Sequence, residues 1–244
     1  MPITHKTTII NEGIEDSIIF SSDAYSYTCI AKVLKLNGLK IRVADNSFII
    51  SIKIKTKDNK LPKIIIIFDD NKFDEKKFLN LKIPKKSAFL LRSYEVKERK
   101  KIAKQLLKFC KMRKLKLLIG LDIKLAEDIN AHGVHFPEYM IKKNKINWDD
   151  IKKIKSKKNW IITAATHNIQ TIKKAEKFDI DAVLLSPVFP STSHPNSKNL
   201  GINKFAKIVK KTKLPIYALG GINIKNVKSL LETDIIGYAF QKGE

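Results

Sequence analysis

The sequence predicts an α/β fold, a TIM-type (βα)8 barrel that lacks a full C-terminal helix and follows an N-terminal extension of about 60 residues. From Lys63 onward, short apolar runs rich in β-branched residues and leucine alternate with stretches of helical period. Strands that are apolar throughout, each followed by an amphipathic helix, are typical of a parallel sheet covered by helices. Eight such runs favour a closed barrel: KIIIIF, AFLLR, KLLIGL, GVHF, WIITA, AVLLS, PIYAL and IIGYAF.

The stretches between these runs place their apolar residues on one helical face. The longest extends from Glu95 to Lys114, and three more follow. Because the given sequence stops at Glu244, we expect no full helix after the eighth strand. The predicted apolar faces are Val96, Ile102, Ala103, Leu106, Leu107 and Cys110; Ile169, Ile172, Ala175 and Phe178; Ile202, Phe205, Ile208 and Val209; and Ile224, Val227, Leu230 and Leu231.

Residues 1–60 have a different pattern and predict a separate N-terminal extension, with the barrel domain spanning residues 61–244. They contain three strand-like runs, DSIIF, LKIRV and FIISIKI, which could form a small hairpin or sheet. A possible helix around Tyr25 to Leu36 could fill the vacant outer position of the barrel or cap its bottom.

Composition limits the class of protein. The 244 residues, 43% of them hydrophobic, suffice for one large core. The net charge of +24 could indicate nucleic-acid binding, but the lysines are spread over every helical stretch, so we favour a solvated surface and expect no specific nucleic-acid partner. Cys29 and Cys110 are too few for a disulfide framework. Neither a membrane-spanning run nor a signal-peptide pattern is found, so we expect a cytoplasmic protein.

Polar residues follow most of the predicted strands, at the end where barrel enzymes bind ligands. Arg92 is one of only four arginines, and its place at a strand end suits bidentate anion binding. Asp69 and Asp70 could cap a helix or form a turn, and they are left out of the predicted site. The other polar residues at these ends are Asp122, His135, Thr166 and His167.

Two glycine- or proline-rich segments come later. The loop between Ser186 and Gly201 contains three prolines and several hydroxyl side chains, which could clamp a phosphate or simply form a surface loop. Gly220 and Gly221 follow the seventh predicted strand, where backbone amides could approach a phosphate or a tight turn could require glycine.

Three stretches carry a family resemblance: LLIGLDIKLAEDINAHGVHFPE, ITAATHNIQTIKKAEKFDIDAVLLSPVFPSTSHPNSKNLGI and PIYALGGINIKNV. From about Lys63 to Gly243 the chain resembles the thiamine phosphate synthase/TenI superfamily. In the synthase branch, the resemblance implies condensation of a pyrimidine diphosphate with a thiazole phosphate, with Mg²⁺ neutralising the leaving diphosphate. In the TenI branch, it implies tautomerisation of a thiazole carboxylate phosphate by acid/base catalysis without a metal.

The resemblance also implies roles for individual residues. His167 matches the acid/base histidine, although many synthases carry a histidine there too. Asp122 matches one metal carboxylate, and only Glu138 could substitute for the second. The implied substrate- and phosphate-binding residues are Arg92, His135, Ser191, Thr192, Ser193, His194, Gly220 and Gly221. Two simpler interpretations stay open: His135 could be a polar residue that closes the barrel top, and Asp122 could cap the helix beginning at Ile123.

The chain departs from the synthase pattern at several points. A lysine expected after Arg92 is absent, since Ser93 and Tyr94 follow, and Leu121 stands where the family has an asparagine. The Thr-x-Thr-Lys diphosphate clamp is Ser191-Thr192-Ser193-His194 in this chain. These losses favour the tautomerase-like site slightly, while the SPVFP segment keeps the synthase open.

We therefore expect a family enzyme of thiamine biosynthesis that uses Mg²⁺ if it is a synthase and no cofactor if it is a tautomerase. Its expected partners are a small phosphorylated thiazole and, for the synthase, a pyrimidine diphosphate, with a homo-oligomer left open. The alternatives are a non-catalytic binder of thiazole or thiamine phosphate and, less favoured, a polyanion-binding protein, motivated by the charge of +24.

Overall fold

Eight parallel strands close into a barrel in the computed structural model, which describes residues 17–21, 39–44, 47–52, 60–75, 83–190, 198–223 and 226–241. All eight predicted runs form barrel strands, so the predicted fold class is confirmed. The strands are β4 (Ile64–Phe68), β5 (Ser87–Leu91), β6 (Lys116–Gly120), β7 (Gly133–Phe136), β8 (Ile161–Thr166), β9 (Ala182–Leu185), β10 (Ile216–Leu219) and β11 (Gly237–Gln241).

The barrel closes where its first and last strands meet. β11 pairs in parallel with β4, with Tyr238 opposite Ile64 and Gln241 opposite Ile67. This register carries the end of β11 to the residues that follow β4. The closure therefore brings together segments from the two ends of the barrel sequence.

Helices cover the outside of the barrel. α1 begins at Arg99, four residues after Glu95, where its prediction began. Asparagine side chains cap two helices: Asn147 accepts from the backbone of Asp149 and Asp150, and Asn168 accepts from Thr171. The helices are α1 (Arg99–Met112), α2 (Ile123–Asp128), α3 (Glu138–Lys142), α4 (Trp148–Lys158), α5 (Ile169–Ala175) and α6 (Gly201–Lys210).

The last predicted helix is shorter than expected. Only a 3-10 turn, Val227–Leu230, forms there among the described residues, and Ile224 lies outside them. Val227 and Leu230 are nevertheless buried, as their helical spacing predicts.

The core has two parts because successive strand residues point to opposite faces. One part lies between strands and helices and includes Phe89, Phe109 and Phe205. The other contains alternate strand residues together with Leu61, which precedes β4, and no helix residue; we assign it to the barrel interior. The interior set is Leu61, Ile65, Ile67, Ala88, Leu90, Leu118, Ile161, Ala182, Leu184, Tyr217 and Ala239.

The strand-like runs of the N-terminal extension form a small antiparallel sheet. It comprises β1 (Ser17–Ser21), β2 (Leu39–Ala44) and β3 (Ser47–Ile52) in the order β1-β3-β2. The predicted helix around Tyr25 to Leu36 lies outside the described residues. The domain boundary near residue 60 stays a prediction. Within the described ranges, no helix has the length and apolar character needed to cross a bilayer.

Candidate functional site

The C-terminal ends of the barrel strands form one face, because all eight strands run parallel. A cavity of about 670 Å³ opens beside the residues that follow β4 and β5. Both polar and apolar side chains line it, so it can hold a charged group and an organic ring together. Its lining residues are Asp69, Asn71, Arg92, Ser93, Tyr94, Glu95, Val96 and Lys97.

Arg92 is held at this cavity by Asp69. Its Nε lies 3.0 Å from both carboxylate oxygens of Asp69, and its Nη2 also pairs with Oδ2. Gln241, at the end of β11, donates to the same Oδ2 over 3.1 Å. The pair is half-buried, and three neighbouring strand ends therefore fix one guanidinium.

The ion pair leaves Arg92 with donor capacity for a ligand. A guanidinium carries five N–H donors, and the Asp69 contacts engage only Nε and Nη2. In the part of the chain that the structure describes, the remaining donors of Arg92 have no protein partner. An anion in the cavity can thus be bound by an arginine whose orientation is already set.

Asp69 lines this cavity, although the sequence prediction left it out of the site. Next to Asp70, it fits a turn or a helix cap equally well, and its partner lies 23 residues away on the next strand. The available signal was its position directly after a predicted strand that neighbours the strand carrying Arg92.

Tyr94 occupies the neighbourhood where a lysine was expected. Its ring packs against Gly120, at which a Cβ would come within 2.9 Å of Tyr94 Cε1. The Arg99 guanidinium lies 5.8 Å from the ring centroid, a cation–π distance. Burial raises the pKa of Tyr94, partly opposed by Arg92, so the phenol stays protonated.

His135 lies inside the barrel, 3% exposed, with Nδ1 2.9 Å from Thr163 Oγ1 of the adjacent strand. Burial, assisted by the charge of Arg92, lowers the pKa of His135 to about 3. The imidazole is therefore neutral at ordinary pH. This geometry fits the interpretation of a polar residue closing the barrel top.

His167 follows β8 and is exposed at the same face. Its Nδ1 lies 2.7 Å from the carbonyl oxygen of Ser186, the residue after β9. A carbonyl oxygen only accepts, so Nδ1 carries the proton. In the neutral ring, Nε2 then carries a lone pair with no partner among the described residues, which suits acid/base chemistry.

Glu138 begins α3 and contacts the loop that carries His167. Its Oε1 accepts from the His167 backbone amide over 3.0 Å and from Thr171 Oγ1 over 2.9 Å. Its Oε2 accepts from Lys142 over 2.6 Å. Burial raises the pKa of Glu138, but the hydrogen bonds from Lys142, Thr171 and His167 more than offset it, and the net pKa is lowered.

Asp122 caps α2, with Oδ1 2.9 Å from the Leu125 amide. Its Oδ2 also pairs with Arg99 Nη1 over 3.3 Å. Arg99, which the sequence prediction did not include, further donates to the carbonyl of Gly120 over 2.5 Å. The N-cap interpretation of Asp122 is therefore realised in the structure.

The contacts of Asp122 and Glu138 bear on their predicted role as metal ligands. Among the residues that the structure describes, no group of three His, Cys, Asp or Glu side chains could hold a metal ion. Mg²⁺ is often bound by one or two carboxylates together with substrate phosphates, and Asp122 retains lone pairs for that role. Glu138 fits less well, because its Oε1 already accepts two hydrogen bonds and its Oε2 accepts one from Lys142, whereas each oxygen of Asp122 has a single partner in the described part of the chain. The metal site stays a prediction.

Gly220 and Gly221 have positive φ angles of 95° and 63°. A Cβ at Gly220 would lie 2.9 Å from Pro187 Cβ, and one at Gly221 would clash with Pro190 O. The loop start packs on the glycines through the amide of Phe189, which donates to Gly220 O over 3.1 Å. The remaining predicted clamp residues, Ser191, Thr192, Ser193 and His194, lie outside the described residues, and their role stays a prediction.

A family model described as thiamine monophosphate synthase matches residues 72–243. The chain belongs to this family. The predicted resemblance to thiamine phosphate synthase/TenI proteins is thereby confirmed.

Two relatives and one solved structure show how much of the chain is similar to known proteins of this family. The "Putative thiamine-phosphate synthase 2" of Aquifex aeolicus is 32% identical over 184 residues, covering 73% of this chain and 95% of that protein. The thiamine-phosphate synthase of Methanococcus maripaludis is 33% identical over 118 residues, 47% of this chain and 52% of that protein. The chain thus spans about half the length of the second relative.

The structural likeness concerns the fold alone. A thiamine phosphate pyrophosphorylase from Pyrococcus furiosus superimposes with a TM-score of 0.54 at 22% identity, covering 75% of this chain and 86% of that one. In this family member, Asp69 pairs with Arg92 at the C-terminal face, and Glu138 contacts the loop that carries His167 at the same face.

Proposed function

We propose that this chain is an enzyme of thiamine biosynthesis that binds a thiazole phosphate at the C-terminal face of its barrel and joins it to a pyrimidine diphosphate. Family membership and the names of both relatives support the reaction class. The main structural support for the proposal is that Asp69 orients Arg92 and that both residues line the cavity at the strand ends.

Arg92 has the chemistry that the condensation requires. The diphosphate leaves with additional negative charge, and a fixed guanidinium stabilises that charge without having to reorganise. The Gly220-Gly221 turn and the loop beginning at Pro187 would hold the phosphate of the thiazole. Asp122 would hold Mg²⁺, whose charge would further neutralise the leaving diphosphate.

A second candidate, tautomerisation of a thiazole carboxylate phosphate, is favoured by one observation. His167 donates from Nδ1 to Ser186 O and keeps Nε2 as a proton acceptor at the mouth of the site. The reaction removes a proton from one ring position and returns it to another, which one histidine can do. Condensation stays the first candidate because the relatives are named as synthases.

The experiment is a product assay of the purified chain with pyrimidine diphosphate and thiazole phosphate, run once with Mg²⁺ and once with a chelator. Thiamine phosphate formed only with Mg²⁺ is the expected result. A parallel reaction follows the thiazole carboxylate phosphate tautomer. Conversion there without condensation transfers the assignment to the tautomerase, and binding without either turnover supports a non-catalytic binder.

A further inference from the structure

Glu138 connects three elements around His167. It lies at the start of α3, and its contacts reach the β8–α5 loop and the first turn of α5. The side chain is only 11% exposed, and Lys142 balances its charge within the same helix. Such a carboxylate is fixed by its partners and fixes them in return.

His167 is held from two sides. The Ser186 carbonyl accepts from Nδ1 over 2.7 Å and so sets the rotation of the ring. Glu138 Oε1 accepts from the backbone amide over 3.0 Å and so sets the position of the main chain from which the ring projects. The amide precedes the N-cap Asn168, outside the intrahelical hydrogen bonds of α5.

We propose that Glu138 is a positioning residue for His167: its carboxylate anchors the His167 main chain so that Nε2 points at the substrate. The inference rests on the second candidate of the proposed function, tautomerisation, in which His167 transfers a proton at the strand ends. It gives Glu138 a different role from the magnesium ligand predicted from the sequence.

The two roles of Glu138 predict different responses to substitution. In Glu138→Gln the amide oxygen can still accept from the His167 N–H and Thr171, so a positioning role is largely retained. In Glu138→Ala the anchor is lost. A magnesium ligand would instead lose function in both variants, because a neutral amide is a far weaker ligand for Mg²⁺ than a carboxylate.

Glu176 provides a matched control. It lies at the opposite end of α5, accepts the backbone amide of Lys213 over 2.7 Å and pairs with Lys173 over 2.9 Å. Glu176→Ala therefore removes the same kind of contact, a carboxylate that accepts a backbone amide and pairs with a nearby lysine, at a place away from His167.

The experiment measures kcat, KM and the Mg²⁺ dependence of Glu138→Ala, Glu138→Gln and Glu176→Ala, together with hydrogen exchange at the His167 amide. We expect Glu138→Ala to lower kcat about 10- to 100-fold, the loss typical of a misplaced catalytic group, with KM changed less than about threefold. Exchange at His167 should rise about 10-fold or more. Glu138→Gln should keep most of the kcat and most of the protection of the His167 amide from exchange. Glu176→Ala should resemble the unmodified chain in both quantities.

Three results would overturn the inference: a kcat in Glu138→Ala equal to that of Glu176→Ala, unchanged exchange at His167, or an equal rise in the Mg²⁺ requirement of both Glu138 variants. If the unmodified chain catalyses neither reaction, the proposed function fails, and the exchange measurement alone decides whether Glu138 anchors His167. Faster exchange in Glu138→Ala then supports the anchor, and unchanged exchange removes it.

Discussion

Asp69 and Arg92 form a two-point ion pair across the ends of β4 and β5, and Gln241 from β11 donates to the same carboxylate. The hydrogen bond from Gln241 to Asp69 spans the seam between β11 and β4, where the barrel closes. The ion pair holds the guanidinium of Arg92, an otherwise flexible side chain, in one orientation beside the cavity, as the proposed binding of an anion requires.

This relationship predicts coupled effects on substrate binding. Arg92→Ala should raise KM for the phosphorylated substrate about 10- to 100-fold, the loss of a charged hydrogen bond, with a smaller change in kcat. Asp69→Ala should raise KM less, and the double variant should be no worse than Arg92→Ala alone, because Asp69 acts through Arg92.

The control for this cycle is Arg113→Ala, since Arg113 stacks over Phe109 next to the end of α1. Its KM should match that of the unmodified chain. An unchanged KM in Arg92→Ala, or additive effects in the double variant, would show that the pair does not bind the substrate.

The geometry of His167 predicts a specific loss of chemistry. In the tautomerisation reaction, His167→Ala should lower the rate of proton transfer about 10²- to 10⁴-fold, the usual contribution of a general acid or base, and leave substrate affinity intact. Steady-state kinetics and direct binding measure the two separately. His132→Asn, which keeps an acceptor for the Leu117 amide, is the matched control. A full rate in His167→Ala removes this residue from the mechanism.

The buried His135 predicts a pH dependence of stability. The pKa of His135 is about 3 in the folded chain and about 6.5 when unfolded, so the unfolded state binds more protons between these values. Its contribution is complete above pH 6.5 and is lost as pH falls towards 3, at up to about 1.4 kcal/mol per pH unit.

Urea unfolding at pH 7, 6, 5 and 4 measures this loss, with His135→Asn as the comparison. The variant cannot titrate, so its free energy of unfolding should fall less steeply with decreasing pH. Parallel curves for the two proteins would contradict the burial of a neutral His135.

In the turn at Gly220 and Gly221, after β10, we predict that an added side chain would clash with its neighbours as well as strain the backbone. Gly221→Ala should be more destabilising than Gly201→Ala, because both residues have φ near 65° but only Gly221 faces a backbone oxygen, that of Pro190. The strain alone costs about 1–2 kcal/mol. Urea unfolding gives the difference, and only Gly221→Ala should also raise KM. Equal losses of stability would mean that the loop does not pack on the turn.

The sequence predicted the barrel because parallel strands buried on both faces leave a strong signal. Runs such as KIIIIF and AVLLS admit few other structures, and all of them became strands. Helix ends were less predictable: α1 begins at Arg99 although its apolar pattern already includes Val96. Pattern gives the buried face of a helix, whereas its first residue depends on local capping.

The sequence predicted where the candidate site residues lie along the strands, but not which residues they contact. Arg92, His135 and His167 were chosen because they end strands, a property that the pattern contains. The partnership of Asp69 with Gln241, 172 residues away, depends on strand register and rotamers. Glu138 was assigned from the family pattern as a possible metal ligand, whereas its contacts tie it to the His167 loop. Those contacts follow from the packing of α3 beside α5.

A substrate site at the C-terminal face is tested most directly by an NMR titration with thiazole phosphate that follows arginine Nε–H and tryptophan indole N–H signals. The chain has four arginines and two tryptophans, so the signals can be assigned by single substitutions. Trp160 precedes β8 and lines a cavity at the other end of the barrel, with Lys116 and His132. We predict a saturable shift of the Arg92 signal with Trp160 unchanged. A shift of Trp160 with Arg92 unchanged would contradict a substrate site at the C-terminal face.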